Sequence, residues 1–390
     1  MRGDLSNTRG FGEMLYVQSK TSVARVGDAG TILTTSRTAE SRTNDAPPAI
    51  LRPTSGVPER VALYYPNTWK LELHRSHDMV ALESLEWAYR HDIASPGCPQ
   101  MRRIRRMMIG HFVGHCWPNA DRRLLQLFAD FLVAYLLVDD LFETRAESIS
   151  PKDLPEQFEI CLDALAGPAG APVPKNDPLL AGCAEVRDRF WEVATDAWMK
   201  SFRSSLHAYF FRGLAYELDF QRTNRWPSLD DYLGYRTHTS GTFPVLNMCE
   251  LADDCLLSEE QRISPDVRLF DDSVAVAISI ANDLLSFDKE QDLEQWLNYL
   301  QILGNEQRCD LGDGQFYQAA DRHDETIVLV ELLRRRLAAR GQNLASYAES
   351  SITMLRGVVE WQVLAARYNA ARRLRVELES QSQIFDRLRA

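Results

Sequence analysis

An apolar run, Val274-Ala-Val-Ala-Ile-Ser-Ile-Ala281, passes without a break into Asn282-Asp-Leu-Leu-Ser-Phe-Asp-Lys-Glu290. The run has the composition of a buried helix. Continued through its polar half, that helix carries Asn282, Ser286 and Glu290 at i, i+4 and i+8. Four residues turn a helix by about 400°, so each step drifts only about 40° and the three side chains share a face. Helical side chains lean toward the N-terminus, which brings Glu290 back over Ser286. An amide oxygen, a hydroxyl and a carboxylate in one stripe are hard oxygen donors, the set that Mg²⁺ takes beside substrate phosphates. A solvated polar face has the same spacing, so the stripe needs a second signal.

Val133-Ala-Tyr-Leu-Leu-Val-Asp-Asp-Leu-Phe-Glu143 supplies one. Asp139 and Glu143 are four apart, with Asp140 beside them, at the end of an almost wholly apolar helix. Two like charges about 4 Å apart repel by about 4 kcal/mol at an effective dielectric near 20. Acids at a helix C-terminus also oppose its dipole, so the cluster is costly unless cations occupy it. Asp230-Asp231, Asp253-Asp254 and Asp271-Asp272 lack a third acid at that spacing and are assigned to surface or capping positions.

Around these stretches the pattern is helical from about Leu63 to Leu378, and no strand-rich region stands out. Leu124, Leu127, Phe128, Phe131, Leu132, Tyr135 and Leu136 recur at three and four. Residues 1–55, rich in Ser, Thr, Gly, Arg and Pro, read as a flexible N-terminal arm, and residues 56–390 as one all-α domain. The stretch from Ala166 to Pro178 is a loop between helices, Gly304 to Gly314 a polar interruption, and Ser228 a candidate N-cap. No apolar run reaches the roughly 18 residues needed to span a bilayer. A net charge of −11 argues against nucleic acid as a partner and requires local cations for any anionic substrate. The seven cysteines form no CxxC pair, which points to reduced thiols and the cytoplasm. His111 and His115 lack an HExxH context and read as packing residues.

The two motifs resemble those of class I terpene synthases of the single-domain microbial type. Asp139-Asp140-Leu-Phe-Glu143 is similar to the family's DDxx(D/E), and Asn282, Asp283, Ser286, Lys289 and Glu290 match NDxxSxxKE. Arg236, within Pro227-Ser-Leu-Asp-Asp-Tyr-Leu-Gly-Tyr-Arg236-Thr-His-Thr239-Ser240-Gly241, resembles the family's diphosphate-sensing arginine. Arg367-Tyr368 resembles its late Arg-Tyr pair. The likeness spans roughly residues 60–375; Glu143 departs from the stricter third Asp, and the region from Trp296 to Gln318 matches poorly.

This resemblance implies an all-α bundle closing over an isoprenyl diphosphate, most simply farnesyl diphosphate, and three Mg²⁺ ions. It implies metal contacts from Asp139, Asp140, Glu143, Asn282, Ser286 and Glu290. Diphosphate contacts would come from Arg236, Lys289, Arg367 and Tyr368. Ionisation to a carbocation requires a dry aromatic cavity. Phe112, Phe131, Tyr135, Phe142, Tyr209 and above all Trp361 are candidates for its wall. Ser240 sits where Thr239-Ser240-Gly241 would interrupt a helix and turn a carbonyl toward the cation. A diterpene cyclase using geranylgeranyl diphosphate, a chain-elongating prenyltransferase and an inactive helical scaffold are the competing readings, and the assembly state, monomer or homodimer, stays open.

Overall fold

Polar caps standing before apolar runs set where the helices start. In the computed structural model, which describes residues 50–53, 58–145, 149–174, 176–365 and 375–379, the order is β1 (Arg60–Tyr64), α1 (His77–Arg90), α2 (Pro99–Arg106), α3 (Ile109–Cys116) and α4 (Arg122–Arg145). Then come α5 (Leu154–Ala166), α6 (Pro178–Val193), α7 (Asp196–Ala208), a π-helical segment (Tyr209–Leu214), α8 (Ala215–Thr223) and α9 (Leu229–Thr239). The chain continues with α10 (Thr242–Ala252), α11 (Glu259–Ile263), α12 (Pro265–Asp292), α13 (Tyr299–Gln307), α14 (Asp313–Ala338), α15 (Gln342–Leu364) and β2 (Arg375–Glu379). Side chains of residues 143–145 and 375–379 fall outside the description. Asp177 caps α6 by accepting from Leu180 N at 3.0 Å, and Ser228 caps α9 by accepting from Asp231 N at 3.1 Å. Each satisfies an amide with no intrahelical partner, worth typically about 1 kcal/mol.

The long apolar run behaves as its pattern dictates. Within α12, Val274, Ala275, Ala277, Ile280 and Ala281 are fully buried, and the helix packs along α14 and against α15, α9 and α10. α15 in turn lies on α3 at backbone distance. A Cβ added to Gly357 would meet His115 C at 2.5 Å and Cys116 N at 2.6 Å, so only glycine permits this approach. α4 packs on α1, α3 and α6. The loop expected from Ala166 to Pro178 does join α5 to α6. His111 packs its ring on His77, and His115 bonds the Glu72 carbonyl through Nδ1.

The all-α reading stands with one addition: β1 pairs in parallel with β2, Arg60 opposite Arg375 and Tyr64 opposite Glu379, a contact too distant in sequence for periodicity to reveal. Three expectations need correction. Leu51, inside the stretch assigned to the arm, is docked: its N–H donates to Gln301 Oε1 at 2.9 Å and its carbonyl accepts from Gln301 Nε2 at 3.0 Å. Residues 1–49, the rest of that arm up to this point, lie outside the described residues. The interruption from Gly304 to Gly314 shrinks to residues 308–312, because α13 runs on to Gln307. Asp271 is not a surface acid, since it accepts from Tyr347 Oη at 2.8 Å, and burial raises its carboxyl well above the usual range.

The segment after β1 is tied to α14 through Glu331, which accepts from Trp69 Nε1 at 3.0 Å, Arg334 Nε at 2.8 Å and Arg335 Nε at 2.7 Å. Burial works to raise this carboxyl, but the donors from Arg334, Trp69 and Arg335 outweigh it and bring it down to about 2. A depressed acid stabilises the fold above its unfolded pKa and loses that contribution as pH falls through the folded value. Glu331→Gln is therefore expected to lose about 1–2 kcal/mol at pH 7, after discounting for solvent screening. Urea titrations should show the gap to wild type closing as pH drops from about 5 toward 2, and a gap independent of pH would refute the assignment.

Candidate active site

One cavity of about 1030 Å³ opens among the helices, at the upper end of ordinary small-molecule pockets. α4 brings Asp139 to it, and α12 brings Asn282, Ser286, Lys289 and Glu290. The two helices are not extensively packed on one another, so the acidic groups meet across the hollow. The i, i+4, i+8 stripe thus faces inward as one set.

Asp283, one step off that stripe, organises the α12 wall. Its Oδ1 accepts from Arg236 Nε at 3.0 Å and Nη2 at 2.9 Å. Its Oδ2 accepts from Tyr232 Oη at 2.5 Å and Tyr299 N at 2.9 Å. With Asp283 2% exposed, the carboxylate is spent on the protein. Arg236 Nη2 reaches on to Asn282 Oδ1 at 2.7 Å, and Arg236 also lines the cavity. Asn298 Nδ2 donates to the Asp283 carbonyl at 2.9 Å and to Glu290 Oε2 at 2.8 Å, fixing the far end of the stripe. Burial first, then repulsion from Asp283, raises the Glu290 carboxyl, only partly offset by Asn298, Ser286 and Arg236. An acid held up in this way gains from a neighbouring cation.

On the α4 wall, Tyr209 Oη donates to Asp139 Oδ1. Tyr209 opens the π-helical segment, a local widening of the helix that often marks functional sites. Asp140 turns elsewhere: it is 5% exposed, its Oδ1 meets Arg103 Nη2 at 2.5 Å, and it is not among the cavity-lining residues. One residue along a helix is a rotation of about 100°, and here that step carries Asp140 from the hollow to Arg103. Glu143 stands on the last turns of α4 with its side chain outside the description, and Arg367 and Tyr368 lie outside the described residues.

Part of the wall is aromatic and apolar. Phe112 and Trp361 stack with ring centroids 4.2 Å apart, and Trp361 Nε1 donates to the Met107 carbonyl at 2.6 Å. Tyr135 also lines the cavity. Phe131, Phe142 and Tyr209 do not; Phe131 is core, set between Tyr135, Phe190 and Phe202. The chain breaks between α9 and α10 as Thr239-Ser240-Gly241 leads one to expect, with Gly241 at φ 71°. A Cβ there would meet Tyr135 Oη at 2.9 Å. Ser240 lines the cavity, its hydroxyl bonded to the Thr237 carbonyl and Thr242 Oγ1 at 2.8 Å each.

Sequence reasoning passed over α8. Glu217, Gln221 and Arg222 line the mouth, and Arg222 Nη2 donates to the Ile149 carbonyl at 2.7 Å, tying α8 to the loop after α4. Glu217 and Gln221 at i, i+4, beside Leu214 and Leu218 in the same lining, were the available signal.

The donor set fits a divalent cation. Among the described residues no group of three or more His, Cys, Asp or Glu converges to hold a metal. An ion here takes part of its shell from Asn282, Ser286 or substrate oxygens, as Mg²⁺ does beside phosphates.

Residues 130–326, half of the chain, match the family described as terpene synthase family 2, C-terminal metal binding. The chain is 25% identical over 305 residues to 10-epi-cubebol synthase of Sorangium cellulosum, covering 76% of this chain and 94% of that one. It is 25% identical over 310 residues to phomopsene synthase of Allokutzneria albata, covering 79% and 85%. Solved structures of a-eudesmol synthase (TM-score 0.65, 17% identity, 77% of this chain and 99% of that chain) and hedycaryol synthase (TM-score 0.64, 20%, 77% and 97%) share the fold. The fold and the metal-binding match define the class, an all-α terpene synthase. The chain belongs to this terpene synthase family, and no helix among the described residues is long and apolar enough to cross a membrane.

Neighbouring residues of one motif should separate by role. Asp283→Ala leaves Arg236 buried and uncompensated and is expected to cost about 3–5 kcal/mol of stability. Asn282→Ala should cost about 1 kcal/mol or less while turnover is lost. Urea unfolding and product assays on both variants check this, and equal destabilisation would contradict it.

Proposed function

We propose that the protein ionises farnesyl diphosphate and cyclises the resulting cation to a sesquiterpene, releasing diphosphate. The observation that carries this reading is that Asp139 and the Asn282–Ser286–Glu290 stripe line one cavity together with the aromatic rings of Phe112, Tyr135 and Trp361. Chain length is supported by relatives named as cyclising (2E,6E)-farnesyl diphosphate, the (−)-β-caryophyllene synthase of Saccharothrix espanaensis and the (+)-T-muurolol synthase of Roseiflexus castenholzii.

In this reading Asp139, Asn282, Ser286 and Glu290, with Glu143, would hold Mg²⁺, three ions in all, whose positive charge would offset that of the leaving diphosphate. Arg236, locked by Asp283, presents fixed donors to the phosphate oxygens, and Lys289 adds a compact charge. Arg367 and Tyr368 are proposed to close the same end. Asp140 acts through Arg103, holding the end of α4 so that Asp139 keeps its aim. The Phe112–Trp361 stack excludes water and offers ring faces to the cation, from about 0.5 to 2 kcal/mol each when desolvated.

Incubation with C10, C15 and C20 diphosphates plus Mg²⁺ should give a cyclic C15 product and free diphosphate. Asp139→Ala and Glu290→Ala should each abolish turnover with helical circular dichroism unchanged. A longer prenyl diphosphate formed in the presence of isopentenyl diphosphate would assign the chain to elongation instead.

A further inference from the structure

Gln362 is out of character with its surroundings. It lines the cavity beside Phe112, Val358 and Trp361, yet it carries a carboxamide. The side chain is 3% exposed, and its Oε1 is buried without a hydrogen-bond partner. An unpaired buried acceptor costs about 1–3 kcal/mol, and groups of this kind cluster where chemistry needs them. Its backbone position is fixed: five residues earlier Gly357 locks α15 onto the α3 backbone, and the adjacent Trp361 is pinned by its bond to the Met107 carbonyl. The carboxamide at the end of the side chain turns about its own terminal torsion, which brings the carbonyl oxygen to the hollow.

A carbonyl oxygen at that point can accept a hydrogen bond from a single water and leave the water's lone pairs free for an electrophile. The rest of that wall cannot hold water, so a water bound there would be placed, not random. Tyr135 Oη is also buried without a partner, but it lies against Gly241 and feels the Asp139 carboxylate, at the acidic end. We propose that Gln362 positions the water that captures the cyclised cation, so that the product leaves as an alcohol. This rests on the cyclase reading above. The water oxygen forms the new C–O bond with a lone pair, and the resulting oxonium ion gives its proton to the diphosphate freed at ionisation. Charge and atoms balance with no oxidant or reductant.

The test uses the full chain with farnesyl diphosphate and Mg²⁺ in water enriched in oxygen-18, with products identified by mass spectrometry. Wild type is expected to give mainly a labelled C15 alcohol. Gln362→Leu removes the acceptor at similar volume. It should lower the alcohol fraction by about tenfold in favour of hydrocarbons, the size of one lost hydrogen bond, while diphosphate release stays within about fivefold. Gln362→Met serves as a second variant should the first fold poorly, and Gln362→Asn, which keeps the carbonyl, should recover part of the alcohol. A wild type that makes only hydrocarbon, or an alcohol fraction lost in Tyr135→Phe and kept in Gln362→Leu, overturns the proposal and leaves the cyclase reading intact. No diphosphate release from any C10, C15 or C20 substrate would instead sink both.

Discussion

The four-donor grip on Asp283 holds the α12 side of the site together. Two bonds from Arg236, one from Tyr232 and one from the Tyr299 backbone saturate both carboxylate oxygens in a place almost closed to water. Removing two charges from solvent costs several kcal/mol each, and only near-complete pairing compensates. The interaction also ties α9, α12 and the start of α13 to one point. Arg236 comes out of it aimed: one edge of the guanidinium is committed to Asp283, and Nη2 extends to Asn282 at the cavity wall. A fixed arginine beside the metal stripe is the arrangement that electrostatic preorganisation asks for, since nothing needs to reorient when charge develops.

Polar and apolar ends of the cavity serve opposite demands. Around Asp139 and the α12 stripe, acidic groups gather at a cost that bound cations would relieve, and burial first, then Asp283, holds the Glu290 carboxyl up. At the other end, Phe112, Val358 and Trp361 keep out the water that would quench a cation before it cyclises. The close seat of α15 on α3 through Gly357 makes the second end rigid, so the contour that guides ring closure is set by backbone packing.

Much of this was legible because helical periodicity is local. The Asn282, Ser286 and Glu290 stripe follows from spacing alone, as do the Ser228 cap and the break at Gly241. Which tertiary partner a face meets is not local, and there the sequence was silent. Nothing in the motif says that Asp140 leaves the cavity for Arg103, that Asp271 is buried against Tyr347, or that Phe131 belongs to the core. Asp283 looked like part of a metal motif, whereas its oxygens are consumed by the protein. The π-helical segment that sets Tyr209 on Asp139 has no propensity signature, and β1 and β2 are over three hundred residues apart.

Anomalous diffraction from crystals grown with Mn²⁺ and diphosphate tests the central claim most directly. The account predicts metal peaks inside the hollow, one against Asp139 and one against Asn282, Ser286 and Glu290, with diphosphate between them and Asp283 still bound to Arg236. Metal found only on the outer surface, or ligated by Asp283 with Arg236 displaced, would contradict it.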